Sequence, residues 1–168
     1  MLTLHQCADG PSVLVRDDRI EAIGPAAELA GAHPGARVRD WPGARITGGA
    51  VEQAGGELLE RRYHPDPREG IGTEPRELPA GLTPAGLGGS ARRGLQALLA
   101  RGVTALTGPF ERPEVRTAVA RSGLAVVAAP GAREPAVGGR ADFVVLEAGS
   151  DRCLATVLAG RIVYRARG

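Results

Sequence analysis

The distribution of strand and helix patterns constrains this chain more than any other feature of its 168 residues. Both ends consist of short β-prone runs and tight turns, whereas the middle alternates helical and strand patterns. Residues 12–16 and 19–23 lie on either side of Asp17-Asp18, which is typical of a β-hairpin. The pattern predicts a mixed α/β fold in which the two ends pair into one small sheet or sandwich.

The remaining parts of both ends repeat this strand-and-turn pattern. Further strands are expected at residues 2–7, 36–41, 141–146, 154–158 and 161–164, with a helical turn or two at 26–30. The last two strands form a second hairpin across Ala159-Gly160. We therefore predict one domain from residues 1–50 and 136–168, with residues 51–135 inserted into it.

The inserted segment opens with a stretch, residues 55–89, that is dense in glycine, proline and charge. Apart from a possible helix at 57–62, the pattern predicts a long loop, and loops of this length are commonly functional or mobile. A βα pattern follows, with Ser90 predicted as the N-cap of a helix that ends at Arg101.

Three more elements complete the inserted segment. They are a strand at 103–107, a helix at 113–122 closed by Gly123, and a strand at 124–129. The last is a continuous apolar run, which predicts burial on both faces. This order of elements predicts a parallel sheet with right-handed crossovers.

Composition excludes several classes of function. All 21 basic residues are arginine, they are scattered among 19 acidic residues, and the net charge is only +2. No basic stripe with interleaved aromatic residues is present, so we expect no nucleic-acid partner. No segment has the ~18 consecutive apolar residues that a membrane-spanning helix requires.

The cysteines and the N-terminus indicate the compartment. Cys7 and Cys153 lie far apart without CxxC spacing, which argues against a zinc ribbon or a redox motif. The first residues lack the basic start and long apolar run of a signal peptide. We expect a cytoplasmic protein with two free thiols buried in strands.

Both ends of the chain contain motifs of a known enzyme superfamily. Residues 13–24 (VLVRDDRIEAIG) closely resemble the opening hairpin of the metal-dependent amidohydrolases, and residues 139–146 (GRADFVVL) and 155–164 (ATVLAGRIVY) resemble the closing strands. The similarity is greatest to the imidazolonepropionase and aminodeoxyfutalosine deaminase types. The resemblance implies that the two ends form a composite β-sandwich.

The same resemblance implies a barrel beside the sandwich, which this chain is too short to close. Residues 91–107 resemble the first helix and second strand of that barrel. A complete (β/α)₈ barrel takes ~250 residues, far more than lie between Thr47 and Pro130. We therefore expect a small βαβαβ remnant of a TIM barrel.

The resemblance also locates the site that the family uses for catalysis. The first barrel strand of the family ends in a His-x-His metal-binding pair, and these two positions fall on Ala54 and Gly56. Glu52 stands where the family usually has Asp. The later metal ligands and the catalytic aspartate would lie on strands that are missing here. We expect no catalytic residue, metal ligand or cofactor-binding residue of the family to remain.

A rebuilt metal site is the alternative. Catalytic zinc takes three N, S or carboxylate ligands and keeps an open position, and His64, Asp66 and Glu69 form the best local cluster. The competing interpretation is a proline-rich surface loop. In that loop the two acids would cap turns or meet neighbouring arginines.

Other candidate residues have simpler explanations. Cys7 and Cys153 are expected as buried strand residues, His5 as a strand residue, His33 as a turn residue and Asp142 as a turn or strand-start residue. An anion on the backbone N–H groups before Ser90 is the alternative to its capping role. Thr107, at a strand end, is positioned to line a pocket.

The leading hypothesis is an amidohydrolase-like protein that is catalytically inactive and serves as a binding or partner subunit. Its partner would be a second copy or a full-length amidohydrolase-type protein. The alternative is a hydrolase of non-peptide carbon–nitrogen bonds with a rebuilt site around His64. A truncated product without function is a third interpretation, which the orderly closing strands argue against.

Overall fold

The computed structural model describes residues 1–131 and 133–167, which divide into two compact units. Unit 1 consists of Met1–Ala50, Ala100–Thr104 and the described part of Ala132–Gly168. Unit 2 consists of Val51–Leu99 and Ala105–Gly131. The structure confirms a mixed α/β fold with several sheets, and segments from both ends of the chain lie in unit 1.

The helices and strands of the described residues follow one another in this order. The first part of the chain contains β1 (Leu2–Cys7), β2 (Ser12–Arg16), β3 (Arg19–Gly24), α1 (Ala26–Ala32), β4 (Arg37–Trp41) and β5 (Ala44–Thr47). The middle contains β6 (Ala50–Glu52), α2 (Gly55–Glu60), β7 (Arg62–Tyr63), β8 (Arg76–Glu77), α3 (Pro84–Ala100), β9 (Val103–Thr107), α4 (Pro113–Ser122) and β10 (Ala125–Val127). The last part contains β11 (Phe143–Glu147), β12 (Cys153–Leu158) and β13 (Arg161–Arg165).

Unit 1 contains two four-stranded sheets, ordered β3-β2-β1-β4 and β13-β12-β11-β5. In the second sheet β5 runs antiparallel to β11, with Thr47 opposite Val144. This pairing confirms the prediction that the two ends of the chain share a sheet. Buried residues of both sheets form one core, made up of Cys7, Val13, Val15, Ile20, Trp41, Ala44, Ala141, Phe143, Val145, Ala155 and Val157.

The other face of the first sheet is covered by α1. Leu29 of this helix packs with Leu4 and Leu14, whose side chains are fully buried. Strand residues alternate between the two faces of a sheet, so β1 and β2 contribute to a core on each side.

The turn of the closing hairpin, Ala159-Gly160, requires glycine at its second position. Both residues have positive φ, 48° and 73°, as a two-residue type I′ turn requires. A Cβ atom at position 160 would lie 2.1 Å from the carbonyl oxygen of Asp17. Glycine is therefore required there for conformation and for space.

The third sheet is ordered β10-β9-β6. β9 and β10 are parallel, with Leu106 opposite Val126, which confirms the parallel pairing predicted from the βα pattern. α4 has the predicted bounds and ends at Gly123, which has a φ of 80°. None of the helices in the described ranges is long and apolar enough to cross a membrane.

Two predictions for this region are wrong. α3 begins at Pro84, so Ser90 is a buried residue inside the helix and not its N-cap, and much of the predicted loop is structured. Glycine costs ~1 kcal/mol in a helix interior, which made the glycine-rich run before Ser90 look like a break. Burial of Leu87, Leu95 and Leu98 on this helix offsets that cost.

The strand predicted at 124–129 is the second error. β10 has three residues and lies at the edge of its sheet, with Val126 55% exposed. A short apolar run does not by itself distinguish a central strand from an edge strand. The strand buried throughout most of its length is β9.

Candidate functional site at the carboxyl end of β6

The carboxyl end of β6 is the place where the resemblance puts the His-x-His pair. The chain turns here directly into a helix, because Ala54 is the N-cap of α2 and Gly56 lies in its first turn. The N–H of Ala54 donates to Glu52 Oε1 at 2.8 Å. Glu52, which stands where the family usually has Asp, therefore closes this turn.

The space beyond the strand is filled by the chain itself. A Cβ atom on Gly56 would lie 3.2 Å from the carbonyl oxygen of Pro109, and one on Gly55 would lie 3.0 Å from that of Thr107. Neither Ala54 nor Gly56 has a donor atom for a metal. The residues present here do not fit the metal centre of an amidohydrolase.

Thr107 is at the end of β9, as predicted, but its hydroxyl is occupied. Thr107 Oγ1 donates to the carbonyl oxygen of Gln53 at 2.8 Å, which ties the ends of β6 and β9 together. A hydroxyl used in this way stabilises the two strand ends and is not directed at a ligand.

A buried carboxylate that the sequence analysis missed lies in α2. Glu60 is 7% exposed, and its Oε1 accepts the backbone N–H of Arg112 at 2.8 Å, immediately before α4 begins. A carboxylate is favoured at a helix N-terminus because the helix dipole is positive there. The two residues are 52 positions apart, so no local pattern indicates the contact.

His64 is buried, and its backbone N–H and its ring Nε2 both have protein partners. Its backbone N–H donates to Ser90 Oγ at 2.9 Å, and its ring Nε2 lies 2.9 Å from the carbonyl oxygen of Leu58. Because a carbonyl only accepts, Nε2 carries the proton in this contact. A Cβ atom on Gly94 would lie 2.7 Å from the same ring nitrogen, so α3 approaches the ring closely.

Asp66 and Glu69 cap a single turn of 3₁₀ helix at Pro67–Glu69. Asp66 Oδ1 accepts the N–H of Arg68 at 3.0 Å, while Glu69 Oε1 accepts the N–H of Asp66 at 3.3 Å and the hydroxyl hydrogen of Tyr63. The carboxylates thus lie close to each other and hold the turn.

These contacts bear on the metal alternative. Within residues 1–131 and 133–167, no three His, Cys, Asp or Glu side chains group closely enough to hold a metal ion. His64, Asp66 and Glu69 therefore do not form a ligand set in this conformation.

The Ser90→Ala variant should lower the free energy of unfolding by about 1–3 kcal/mol, because the buried N–H of His64 loses its acceptor. Urea unfolding of the two proteins measures the difference. Ser150→Ala, whose hydroxyl contacts are solvent-exposed or only partly buried, is the control, with an expected change below ~0.5 kcal/mol. Equal stability of wild type and Ser90→Ala would contradict the assigned contact.

His5 lies in the core of unit 1 beside two aromatic rings. It is 1% exposed, its Nδ1 accepts from Trp41 Nε1–H at 3.3 Å, and its ring meets that of Phe143 edge-on at 5.0 Å. Burial, with a smaller contribution from the charge of Arg39, lowers the pKa of His5 to about 4. The ring is therefore neutral near pH 7, with its proton on Nε2.

Asp142 immediately precedes β11, as predicted for a strand-start residue, and is a buried carboxylate between two partly exposed arginines. Its Oδ2 lies 2.9 Å from Arg140 Nη1 and 3.9 Å from Arg133 Nη2, and Oδ1 accepts the N–H of Ala159 at 2.8 Å. These contacts link the start of β11 to the closing turn. The sequence analysis placed the residue but missed its charged partners.

The two cysteines are free and buried in strands, as predicted. Burial, together with the charges of Asp40 and Asp9, raises the pKa of Cys7 to about 11, and burial also raises the pKa of Cys153. The thiolate is the nucleophilic form, so neither side chain is an activated nucleophile. The predicted turn residue His33 is the C-cap of α1.

A sequence profile identifies the opening part of the chain. The profile described as the bacterial imidazolonepropionase-like composite domain matches residues 13–36, which include β3 and α1. This segment is therefore similar to the opening part of that composite domain. The match confirms the resemblance drawn from the opening hairpin, whereas no curated protein matches the chain in sequence.

Solved structures of amidohydrolase-type enzymes are also similar to this chain. Guanine deaminase from Bradyrhizobium japonicum is 21% identical, with a TM-score of 0.42. The matched region covers 69% of this chain and 27% of the deaminase chain. N-isopropylammelide isopropylaminohydrolase from Burkholderia multivorans is 20% identical, with coverages of 77% and 38% and a TM-score of 0.49.

A third structure, an adenosine deaminase from Xanthomonas campestris with bound zinc, is 14% identical. The matched region covers 74% of this chain and 33% of that deaminase chain, with a TM-score of 0.49. The chain thus spans between 27% and 38% of the length of these three enzymes.

Proposed function

We propose that this chain is a composite-domain protein of the amidohydrolase type that lacks the metal site and acts as a binding or partner subunit. The observation that carries the proposal is the presence of Ala54 and Gly56 at the carboxyl end of β6, where the first metal-ligand pair would lie. The protein does not hydrolyse carbon–nitrogen bonds by the metal mechanism of that superfamily.

The arrangement proposed for the chain is a composite sandwich with a barrel remnant. Residues 1–50 and 136–168 form the sandwich, which is supported by the pairing of β5 with β11 and by the core common to both sheets. Residues 51–135 form the remnant, which is supported by the parallel strands β9 and β10 with a helix between them.

The absence of catalysis follows from what the reaction requires. A metal must lower the pKa of a water molecule, and a carboxylate must move protons. The carboxylates near the end of β6 already have backbone partners, since Glu52 accepts from Ala54 and Glu60 from Arg112. No donor remains at Ala54 or Gly56 to place a metal next to them.

A partner subunit is the second part of the proposal. Within the part of the chain that the structure describes, β10 pairs with β9 on one side only, and its exposed Val126 lies at this edge of the sheet. Open strand edges pair readily with other chains, and a second copy or a full-length amidohydrolase-type protein would cover this one. The free thiols of Cys7 and Cys153 favour a reducing, cytoplasmic location.

Restoring the two histidines tests the proposal. The double variant Ala54→His/Gly56→His should bind no more zinc than the wild type, because the Pro109 carbonyl crowds position 56 and the other ligands of the superfamily site are missing. Calorimetric titration with Zn²⁺ measures binding, and circular dichroism checks that the variant is folded.

A variant that gains one tight zinc site per chain would contradict the proposal, because it would show an otherwise intact metal centre. Light scattering over a range of concentrations tests the partner role separately. A dimer mass is expected if the partner is a second copy. A monomer at all concentrations would exclude the homodimer and leave the full-length partner.

A further inference from the structure

Two adjoining cavities in unit 1 form a groove, here called the arginine groove. One cavity, of about 300 Å³, is lined by residues that include Trp41, Arg152, Arg165 and Arg167. The other, of about 540 Å³, is lined in part by Arg152, Arg167 and also Arg101. Small-molecule sites commonly have volumes of this order. We propose that the arginine groove binds a small molecule through its phosphate groups.

The groove has an excess of positive charge. Four guanidinium groups line it, against the carboxylates of Asp40 and Asp151. Among the described residues, no carboxylate lies within 4.0 Å of Arg101, Arg165 or Arg167. The protein as a whole has a net charge of only +2, so this concentration of charge is local. Such a surface attracts anions.

The buried ring of Trp41 restricts Arg165, whereas Arg152 forms only a solvent-exposed ion pair. The guanidinium carbon of Arg165 lies 5.2 Å from the centre of the Trp41 ring, and Trp41 is buried and donates to His5. Arg152 Nη1 lies 3.4 Å from Glu147 Oε1. Side chains that are already ordered lose less entropy when they bind a ligand.

The number and kind of donors favour phosphate over a single carboxylate. Each guanidinium group presents five N–H donors in a planar fork that matches phosphate oxygens. A carboxylate has two oxygens and a single charge, whereas a terminal phosphate has three oxygens and carries more charge, so it can accept from more than two guanidinium groups at once. Four arginines around one groove, together with the hydroxyl of Tyr164, therefore fit a phosphate or diphosphate group best.

Calorimetric titration of the whole chain with pyrophosphate tests the proposal. We expect saturable binding of one pyrophosphate per chain, which weakens as sodium chloride is added because salt screens the charges. The Arg152→Gln variant should bind about tenfold more weakly, since it loses charge-assisted hydrogen bonds. Its ion pair with Glu147 is solvent-exposed, so the variant is expected to fold normally.

Arg121→Gln is the matched control, because it removes the same charge from α4 in unit 2. Its affinity for pyrophosphate should stay within about twofold of the wild type, because Arg121 is not one of the residues that line the groove. Absence of saturable binding to the wild type would overturn the proposal. Equal weakening in both variants would also overturn it, because only the overall charge would then matter.

Discussion

Replacing Asp142 by alanine is expected to lower the free energy of unfolding by about 2–4 kcal/mol. The carboxylate is 6% exposed, and its removal leaves the N–H of Ala159 without its acceptor. It also removes the counter-charge of Arg140 and Arg133. Both arginine side chains are about one-third exposed, so water replaces part of the lost interaction and the cost stays below that of a fully buried pair.

A matched control separates this cluster from an ordinary surface ion pair. Asp151 also pairs with an arginine, Arg45, at 3.3 Å, but its side chain is 99% exposed. Asp151→Ala should change the free energy of unfolding by less than ~1 kcal/mol. Chemical denaturation of both variants measures the two values. Similar small losses for both would show that Asp142 does not hold the closing turn.

The second large effect is a loss of stability in acid through His5. The pKa of His5 is about 4 in the folded protein and 6.5 unperturbed, so the unfolded chain binds more protons between these values. Stability is therefore fully present above pH 6.5 and falls as the pH decreases towards 4. The difference in pKa corresponds to about 3 kcal/mol. Arg39 disfavours the charged ring, and the aromatic neighbours Trp41 and Phe143 supply no counter-charge.

Thermal or urea unfolding at several pH values between 4 and 7 checks this prediction. Carboxylates also titrate near the lower limit, so the wild type is compared with His5→Gln, in which the slope due to His5 should disappear. His33→Gln, at the C-cap of α1, should keep the slope of the wild type. A wild-type slope that is unchanged in His5→Gln would show that another group causes the acid sensitivity.

Local sequence patterns were sufficient for most of unit 1. The Asp17-Asp18 and Ala159-Gly160 turns identify their hairpins, because Asp and Gly are common in two-residue turns, where positive φ is required. The pairing of the two ends followed from the layout of the chain, with strands at both ends and an α/β segment between them, and the superfamily resemblance implied the same arrangement. The register of β5 against β11 has no local signal across such a sequence distance.

Packing decided the elements that the sequence analysis placed wrongly. α3 continues through a glycine-rich run because its leucines are buried, and β10 lies at a sheet edge although its residues are apolar. In both cases tertiary contacts outweigh local propensity.

The candidate site was predictable in part. The proposal that Ala54 and Gly56 occupy the positions of the metal-ligand pair rests on the resemblance alone. The contacts of Glu60 with Arg112 and of Asp142 with Arg133 could not be predicted, because they join residues that only the fold brings together.

We propose that the protein has lost the metal centre of the amidohydrolases. Elemental analysis by mass spectrometry, on protein produced with zinc, iron and manganese in the growth medium, tests it most directly. We predict far less than one ion of any of these metals per chain after purification. One ion of zinc, iron or manganese per chain, lost in a folded His64→Ala variant, would contradict the claim and support a rebuilt hydrolase site.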